Sequence, residues 1–217
     1  MTFRRQARRI AALPGQFAAI ARHPLNRAEP FRALWRWLRW QVLSRALGPQ
    51  IVPFVGDTVL YGESGLAGVT GNVYYGLAEY EDMLFVLRLL RPGDLFVDVG
   101  ANVGSYTVLA SGVAGSRTHA FEPIERAFDV LGRNVRVNGI EQLVTLHRAA
   151  VGSRKGTVVM STEHDTMNKV LDGESPGVTV PLVALSDTMA GLEPVLIKID
   201  VEGYEAEVLA GAEKVLR

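Results

Sequence analysis

Asp94-Leu-Phe-Val-Asp-Val-Gly-Ala-Asn-Val-Gly-Ser-Tyr106 is the stretch on which the reading of this chain turns. Leu95, Phe96, Val97 and Val99 form a short apolar run suited to a parallel strand buried on both faces. The run closes on Asp98 and Gly100, and helix-compatible residues resume after Gly104. Strand, tight glycine turn and helix together open a nucleotide-binding βαβ unit. Gly100 and Gly104 would let backbone approach a ligand, and the helix start offers unpaired N–H groups. The spacing differs from the dinucleotide fingerprint GxGxxG, which would place glycine at 100, 102 and 105, where 102 is Asn and 105 is Ser. Asp98 also puts a carboxylate where a pyrophosphate would need room. A cationic or polyhydroxyl ligand fits better.

Composition sets the outer limits. A chain of 217 residues, 48% hydrophobic and 21% charged, can bury a full core, and one domain plus an extension is expected. It has no cysteine, which excludes disulfides, a thiol nucleophile and thiolate metal sites and agrees with a cytoplasmic protein. The net charge of zero conceals an asymmetry. Residues 1–47 carry ten arginines and one acid, Glu29, leaving 13 basic and 22 acidic groups for the remainder. A basic arm on an acidic body calls for an anionic partner or for docking onto that body. The apolar runs are too short to span a membrane, and Pro14, Arg22 and Pro24 interrupt any secretion signal.

The expected organisation is a basic amphipathic helical extension over 1–47 and an α/β domain over 48–217. Within the extension, 2–22 reads as a helix interrupted near Pro14-Gly15. Phe31 to Leu47 reads as a better one, with Phe31, Leu34, Trp35, Leu38, Val42 and Leu43 at helical spacing. Arg32, Arg36, Arg39 and Arg45 fall largely off that stripe. Such a helix can lie in a membrane interface or pack on the body with its arginines in water. Ile51 to Leu60 looks β-like, and the glycine-rich 62–76 too broken for a long element. Glu79 to Leu90 reads as a helix. After the opening strand come a helix from Gly104 to about Val113, a strand at Thr118–Phe121, a helix at 124–137 stopped by Asn138-Gly139, and a third strand, Val144 to His147, running on to Val151. A β-hairpin insertion (156–160 and 178–183) precedes the fourth strand, Val195–Ile199, and a last helix, Glu205–Leu216. The fold class is therefore α/β, a Rossmann-like, mostly parallel sheet with helices on both faces and an N-terminal helical extension. The apolar fourth strand has no successor to cover its outer edge. Another chain, the N-terminal region, or a longer version of this protein would supply one, and the last is favoured.

In an open α/β sheet the ligand sits beyond the carboxyl ends of the strands, and three strands here end in carboxylates, Asp98, Glu122 and Asp200. Glu122 lies 18 residues after Gly104, where an acid accepts hydrogen bonds from both hydroxyls of a ribose. Either acid alone could be a helix cap or a surface residue; spacing and chain order together favour a site. Asp98-Val-Gly-Ala-Asn-Val-Gly-Ser-Tyr-Thr107, Phe121-Glu-Pro123 and Ile197-Lys-Ile-Asp-Val-Glu-Gly-Tyr-Glu205 resemble the signature blocks of the FkbM-type methyltransferases, which use S-adenosylmethionine on a class I Rossmann-like fold. The similarity covers roughly Gly71 to the C-terminus and includes Gly71-Asn72, Tyr74, Gly76-Leu77 and Glu79. That family normally has about seven strands, so strands beyond Leu216 are missing here. The resemblance implies that Asp98, Gly100, Asn102 and Gly104 hold the methionine moiety, that Glu122 binds the ribose, that the segment around Ala150 lies near adenine, and that Glu79 belongs to the cofactor site.

O-methylation of a hydroxyl on a sugar, glycolipid or polyketide-like metabolite is the expected reaction. The candidate catalytic residues are Asp200, Lys198, Glu202 and His164. Asp200 ends the fourth strand with Lys198 two residues earlier on the same side. The alternative for these two is a salt bridge that orders the strand end, and the site reading is favoured. His164-Asp165 sits in the polar insertion, where a loop could cover the acceptor. No second acid cluster accompanies Asp200, so no metal is expected, and nucleic acid is not an expected partner. Residues 1–47 suggest peripheral contact at the inner membrane face, and an oligomer is compatible with the sequence. Two other readings are a non-catalytic remnant that binds a membrane or a partner, and an NAD oxidoreductase, which Asp98 and Asn102 disfavour.

Overall fold

A computed structural model of the chain describes residues 14–161 and 177–217. In chain order, a helix α1 over 14–22 is followed by α2 (Pro30–Ala46), β1 (Gln50–Pro53), β2 (Val59–Gly62), α3 (Ala67–Tyr75), α4 (Tyr80–Leu89) and β3 (Leu95–Val99). One helical turn, α5 (Ser105–Thr107), continues as a π-helical segment, Val108–Val113. Then come β4 (Arg117–Phe121), α6 (Glu125–Val137), β5 (Val144–His147), β6 (Ala150–Val151), β7 (Gly156–Met160), β8 (Val178–Val183), α7 (Leu185–Thr188), β9 (Leu196–Ile199) and α8 (Glu205–Gly211).

β3 is buried at every position because it lies inside a sheet ordered β5-β4-β3-β9, all parallel. Alternate side chains leave the two faces. Phe96 packs with Met83 and Val86 of α4 and with Leu109 and Ala110, while Ala120 joins the cluster that holds Val130, Leu131 and Val135 of α6. On the other face Val97, Val99 and Phe121 meet Leu185 and Val208 of α7 and α8. The mostly parallel sheet with helices on both faces is thus as expected, and so is the β-hairpin insertion, in which β7 and β8 pair antiparallel. β9 pairs with β3 along one edge and with no strand along the other among the described residues.

The differences from expectation have physical causes. The 62–76 stretch holds a helix, α3, despite its glycines. Gly68 and Gly71 let it lie close, since a Cβ on Gly68 would sit 2.8 Å from Val103 Cγ2, and burial of Val69, Val73 and Tyr74 outweighs weak intrinsic propensity. The expected helix from Gly104 becomes π-helical at Val108, and Ala114 N–H reaches Leu109 O at 3.1 Å. The third strand does not run on to Val151, because Ala150 and Val151 pair with β8 in a separate sheet. The last helix ends at Gly211, short of the expected Leu216. α2 forms nearly as expected but turns the other way. It buries Ala33, Trp40 and Ser44 and leaves Phe31, Trp35, Leu38 and Val42 in solvent.

Asn134 of α6 and the helix's C-cap residue, Asn138, fasten the β1–β2 hairpin. Asn134 accepts from Tyr61 N–H at 2.6 Å and donates to Val103 O at 2.8 Å, and Asn138 does the same with Val59 N–H and C=O, both at 2.8 Å. Asn134 is fully buried, so these bonds also fix the turn after β3 from behind. Replacing it leaves buried donors and acceptors unpaired, at about 1–3 kcal/mol each. Asn134→Ala should lower the unfolding free energy in urea by about 2 kcal/mol or more, whereas an exposed control such as Arg136→Ala should change it little.

Candidate active site

The sheet ends its strands at a cleft of about 380 Å³. Its floor is the turn from Gly100 to Val103, with Ser105 and Tyr106 of α5. Gly68, Asn72 and Glu79 form one wall and Glu122, Pro123 and Ile124 the other. Lys198, Asp200 and Glu202 follow β9, and Met160 comes from β7.

Asp98 and Lys198 are direct partners in the parallel pairing of β3 and β9, so their side chains leave the sheet on one face. Lys198 Nζ stands 3.4 Å from Asp98 Oδ1 and 3.2 Å from Asp200 Oδ2; it also donates to Gly100 O at 3.3 Å and lies 4.9 Å from the centre of the Tyr106 ring. Burial opposes the ammonium charge, but Asp98 and Asp200 outweigh it and hold the lysine pKa above its usual range. Lys198 is thus a fixed cation at neutral pH. Asp98 is fully buried and lies beneath the cleft lining. Thr107 donates to its Oδ2 at 2.7 Å, while Oδ1 faces Lys198 with no well-directed hydrogen bond. Asp98 therefore reaches the cleft through Lys198, a layer deeper than the sequence suggested. Asp200 is largely exposed, its side chain 61% accessible.

Glu122 directly follows β4, with both carboxylate oxygens anchored. Oε2 accepts from Asn102 N–H and Oε1 from Ile124 N–H, each at 2.9 Å. Burial pushes its pKa up to about 7, against the pull of those two amides. Asn102 adopts φ 50°, the left-handed region that Asn tolerates better than most side chains. Its Oδ1 accepts from Val103 N–H at 2.7 Å. The turn thus aims an amide at the acid on the next strand, and Glu122 keeps lone pairs for a ligand.

The two glycines of the turn serve the fold at close quarters. A Cβ on Gly100 would lie 2.0 Å from Asp200 O, and one on Gly104 2.4 Å from Leu131 Cδ1, both at positive φ. Gly100 lines the cleft; Gly104 does not, because it is turned toward α6. Ala150 is also off the main cleft and lines a small apolar side chamber with Phe121, Pro123 and Tyr204. Glu79 lines the cleft and accepts from the Tyr106 hydroxyl at 2.5 Å. Burial, then that bond, raises the Tyr106 pKa and keeps the phenol a donor. His164 and Asp165 lie outside the described residues.

Tyr106, Ser105 and Met160 escaped the sequence reading. Asn72, quoted there only for resemblance, proves to tie the wall to the floor. Its side-chain amide donates to Gly68 O at 2.7 Å and Ser105 Oγ at 3.0 Å, and its oxygen accepts from Ala78 N–H at 2.9 Å. Only a buried asparagine just before a glycine-rich bend could have hinted at this. Among the described residues no group of three or more His, Asp or Glu could hold a metal ion. His119 and His147, with facing ring nitrogens 3.0 Å apart, are not part of the cleft lining.

A parallel α/β sheet with its cleft beyond the strand ends defines a Rossmann-like ligand-binding domain. The chain belongs to the FkbM methyltransferase domain family, whose profile matches residues 98–217. It is 33% identical to the 31-O-demethyl-FK506 methyltransferase FkbM of Streptomyces tacrolimicus, over 57% of this chain and 61% of that protein. It is 26% identical to the methyltransferase sdnD of Sordaria araneosa, over 62% of this chain and 66% of that protein. Among solved structures, a methyltransferase FkbM from Methylobacillus flagellatus aligns with 87% of this chain and 46% of its own, at 17% identity and a TM-score of 0.45. The chain spans less than two thirds of the length of either curated relative.

The raised Glu122 pKa has a direct consequence for stability. The folded state holds this proton more tightly than the unfolded chain does, so folding takes up a proton between the ordinary glutamate pKa of 4.5 and about 7. Stability from this group therefore falls as pH rises through that window. The loss between pH 5 and pH 8 is on the order of 2 kcal/mol. Urea titrations at both pH values should show it in the parent, and Glu122→Gln should remove that part of the pH dependence.

Proposed function

We propose that the cleft binds S-adenosylmethionine and that the chain serves O-methylation of a hydroxyl on a sugar, glycolipid or polyketide-like metabolite. The observation that carries this reading is the charge of the lining in a chain of this family. Glu79, Glu122, Asp200 and Glu202 face the cleft against one cation, Lys198. Such a lining favours a sulfonium cation and repels a pyrophosphate. The buried carboxylate of Asp98 beneath the lining faces Lys198 and offsets that cation. Glu122 would take the ribose hydroxyls, and the apolar chamber at Ala150 the edge of the adenine.

When bound, S-adenosylmethionine supplies an electrophilic methyl group, the C–S bond breaking with its electron pair left on sulfur. The turn from Gly100 to Asn102 and Glu122 orient the donor, and such positioning can be worth about 7–11 kcal/mol at best. Asp200, open to solvent at the end of β9, would accept the proton of the acceptor hydroxyl as its oxygen takes the methyl. Glu202 is the second candidate for that proton. Lys198 is no base, because Asp98 and Asp200 keep it charged. It would instead stabilise negative charge growing on the acceptor oxygen. The O-demethyl substrate in the name of the Streptomyces relative agrees with a hydroxyl acceptor.

Isothermal calorimetry tests the donor and a methyl-transfer assay the base. The parent should bind S-adenosylmethionine, more tightly at pH 8 than at pH 6 as Glu122 ionises. Glu122→Ala should weaken binding by about 10–100-fold, the worth of one charge-assisted hydrogen bond. Asp200→Asn should leave that affinity within a few-fold while turnover falls by about 10²–10⁴. Binding of NADH with no binding of S-adenosylmethionine would overturn the reading.

A further inference from the structure

α2 carries two apolar faces, and among the described residues only one of them is packed against the body. Ala33, Trp40 and Ser44 pack inward, and Trp37 packs against the same cluster. On the opposite side Phe31, Trp35, Leu38 and Val42 recur at intervals of four, three and four. At 3.6 residues per turn these fall within about 60° of one another. They form a ridge that has no partner among the described residues, the four residues being 85%, 65%, 44% and 54% exposed.

The charges beside the ridge have their own order. Arg32 and Arg39 flank it on one side and Arg45 on the other, all exposed. Arg36, by contrast, is folded inward and donates to Val73 O, Tyr74 O and Asn26 Oδ1, where it caps the end of α3. α2 itself contains no acid. Arg32 pairs with Glu29, whereas Arg39 has no hydrogen-bond or ion-pair partner among the described residues. A groove of about 490 Å³ opens beside the ridge, with Arg32, Trp35, Arg39 and Ile51 among its lining.

We infer that α2 docks the chain flat on a lipid bilayer rich in anionic phospholipid, with the ridge at acyl-chain depth and the flanking arginines among the phosphates. This goes beyond the cleft and its chemistry and does not depend on them. The charge is the argument for this occupant. The ridge asks for hydrocarbon, and the residues a few ångströms to either side ask for anions. A bilayer interface supplies both at the same depth. No helix among the described residues is long and apolar enough to cross a membrane, so the contact would be a surface one. A second copy of the chain or a protein partner could also cover the ridge, and the test separates these.

The test uses the full chain and sonicated vesicles of phosphatidylcholine alone or with about one third phosphatidylglycerol. The expected result is co-sedimentation with the anionic vesicles only, weakened by added salt. Lipids brominated near the glycerol end of the chains should quench tryptophan fluorescence in the parent and much less in Trp35→Phe. Phe31→Ser/Trp35→Ser should abolish sedimentation, and Arg39→Gln and Arg45→Gln should each weaken it about five-fold. All four residues are exposed, so an unchanged thermal midpoint shows that the variants fold. Three results would overturn the proposal. One is equal binding to neutral vesicles. Another is binding that survives loss of the ridge. The third is no binding to either vesicle, including the case in which sedimentation equilibrium shows a dimer that Trp35→Ser dissolves.

Discussion

A carboxylate withdrawn fully from water costs several kcal/mol unless a cation and hydrogen-bond donors follow it. Asp98, at the centre of the sheet, imposes that requirement. Lys198 answers from the neighbouring strand and Thr107 from the first helical turn, so one buried charge fixes β9 against β3 and the helix start above both. The same lysine then extends to Asp200 and to Gly100 O. The acidic cleft is in this sense the outer end of a charge pairing that begins in the core. Removing Asp98 would leave Lys198, itself mostly buried, with one carboxylate fewer to offset its charge, so the fold and the site cannot be separated at this position.

The turn that follows obeys a packing constraint of equal weight. Gly100 lies against the backbone of Asp200, and Gly104 against Leu131 of α6. These contacts, more than any ligand, demand the missing side chains. Asn102, between them, takes the positive φ and aims its amide at Glu122. The dinucleotide fingerprint would put a glycine at that position, whereas here an asparagine couples the first strand to the acid on the second. Glu122 is then held by two amides in a buried pocket that raises its pKa, an arrangement eased when a ligand adds further donors.

What could be read from residues alone followed from periodicity and from chain order. β3 is legible as the short apolar run of Leu95, Phe96, Val97 and Val99, α6 from its Asn138-Gly139 stop, and the three strand-end carboxylates from the regular alternation of elements. α3 was not legible, because glycines that lower helix propensity are there to bring Gly68 against Val103, a tertiary reason invisible locally. Depth was not legible either. Asp98 and Glu122 look alike in sequence, yet one lies beneath the cleft and the other in its wall. The stripe of α2 was seen, but which face the body would take was not. The helix buries Trp40 and Ala33 and presents the more regular stripe to solvent, so helical spacing marked the free face.

The proposed binding place of S-adenosylmethionine is the strand-end cleft. Amide hydrogen exchange with and without S-adenosylhomocysteine, followed by mass spectrometry across the whole chain, tests it most directly. Protection should centre on peptides covering 98–107, 120–125 and 198–203, with a lesser effect around Ala150 and the strongest at Asn102 and Ile124, whose amides hold Glu122. Unchanged exchange in all three segments at saturating ligand, or protection centred instead on the groove beside α2, would contradict it.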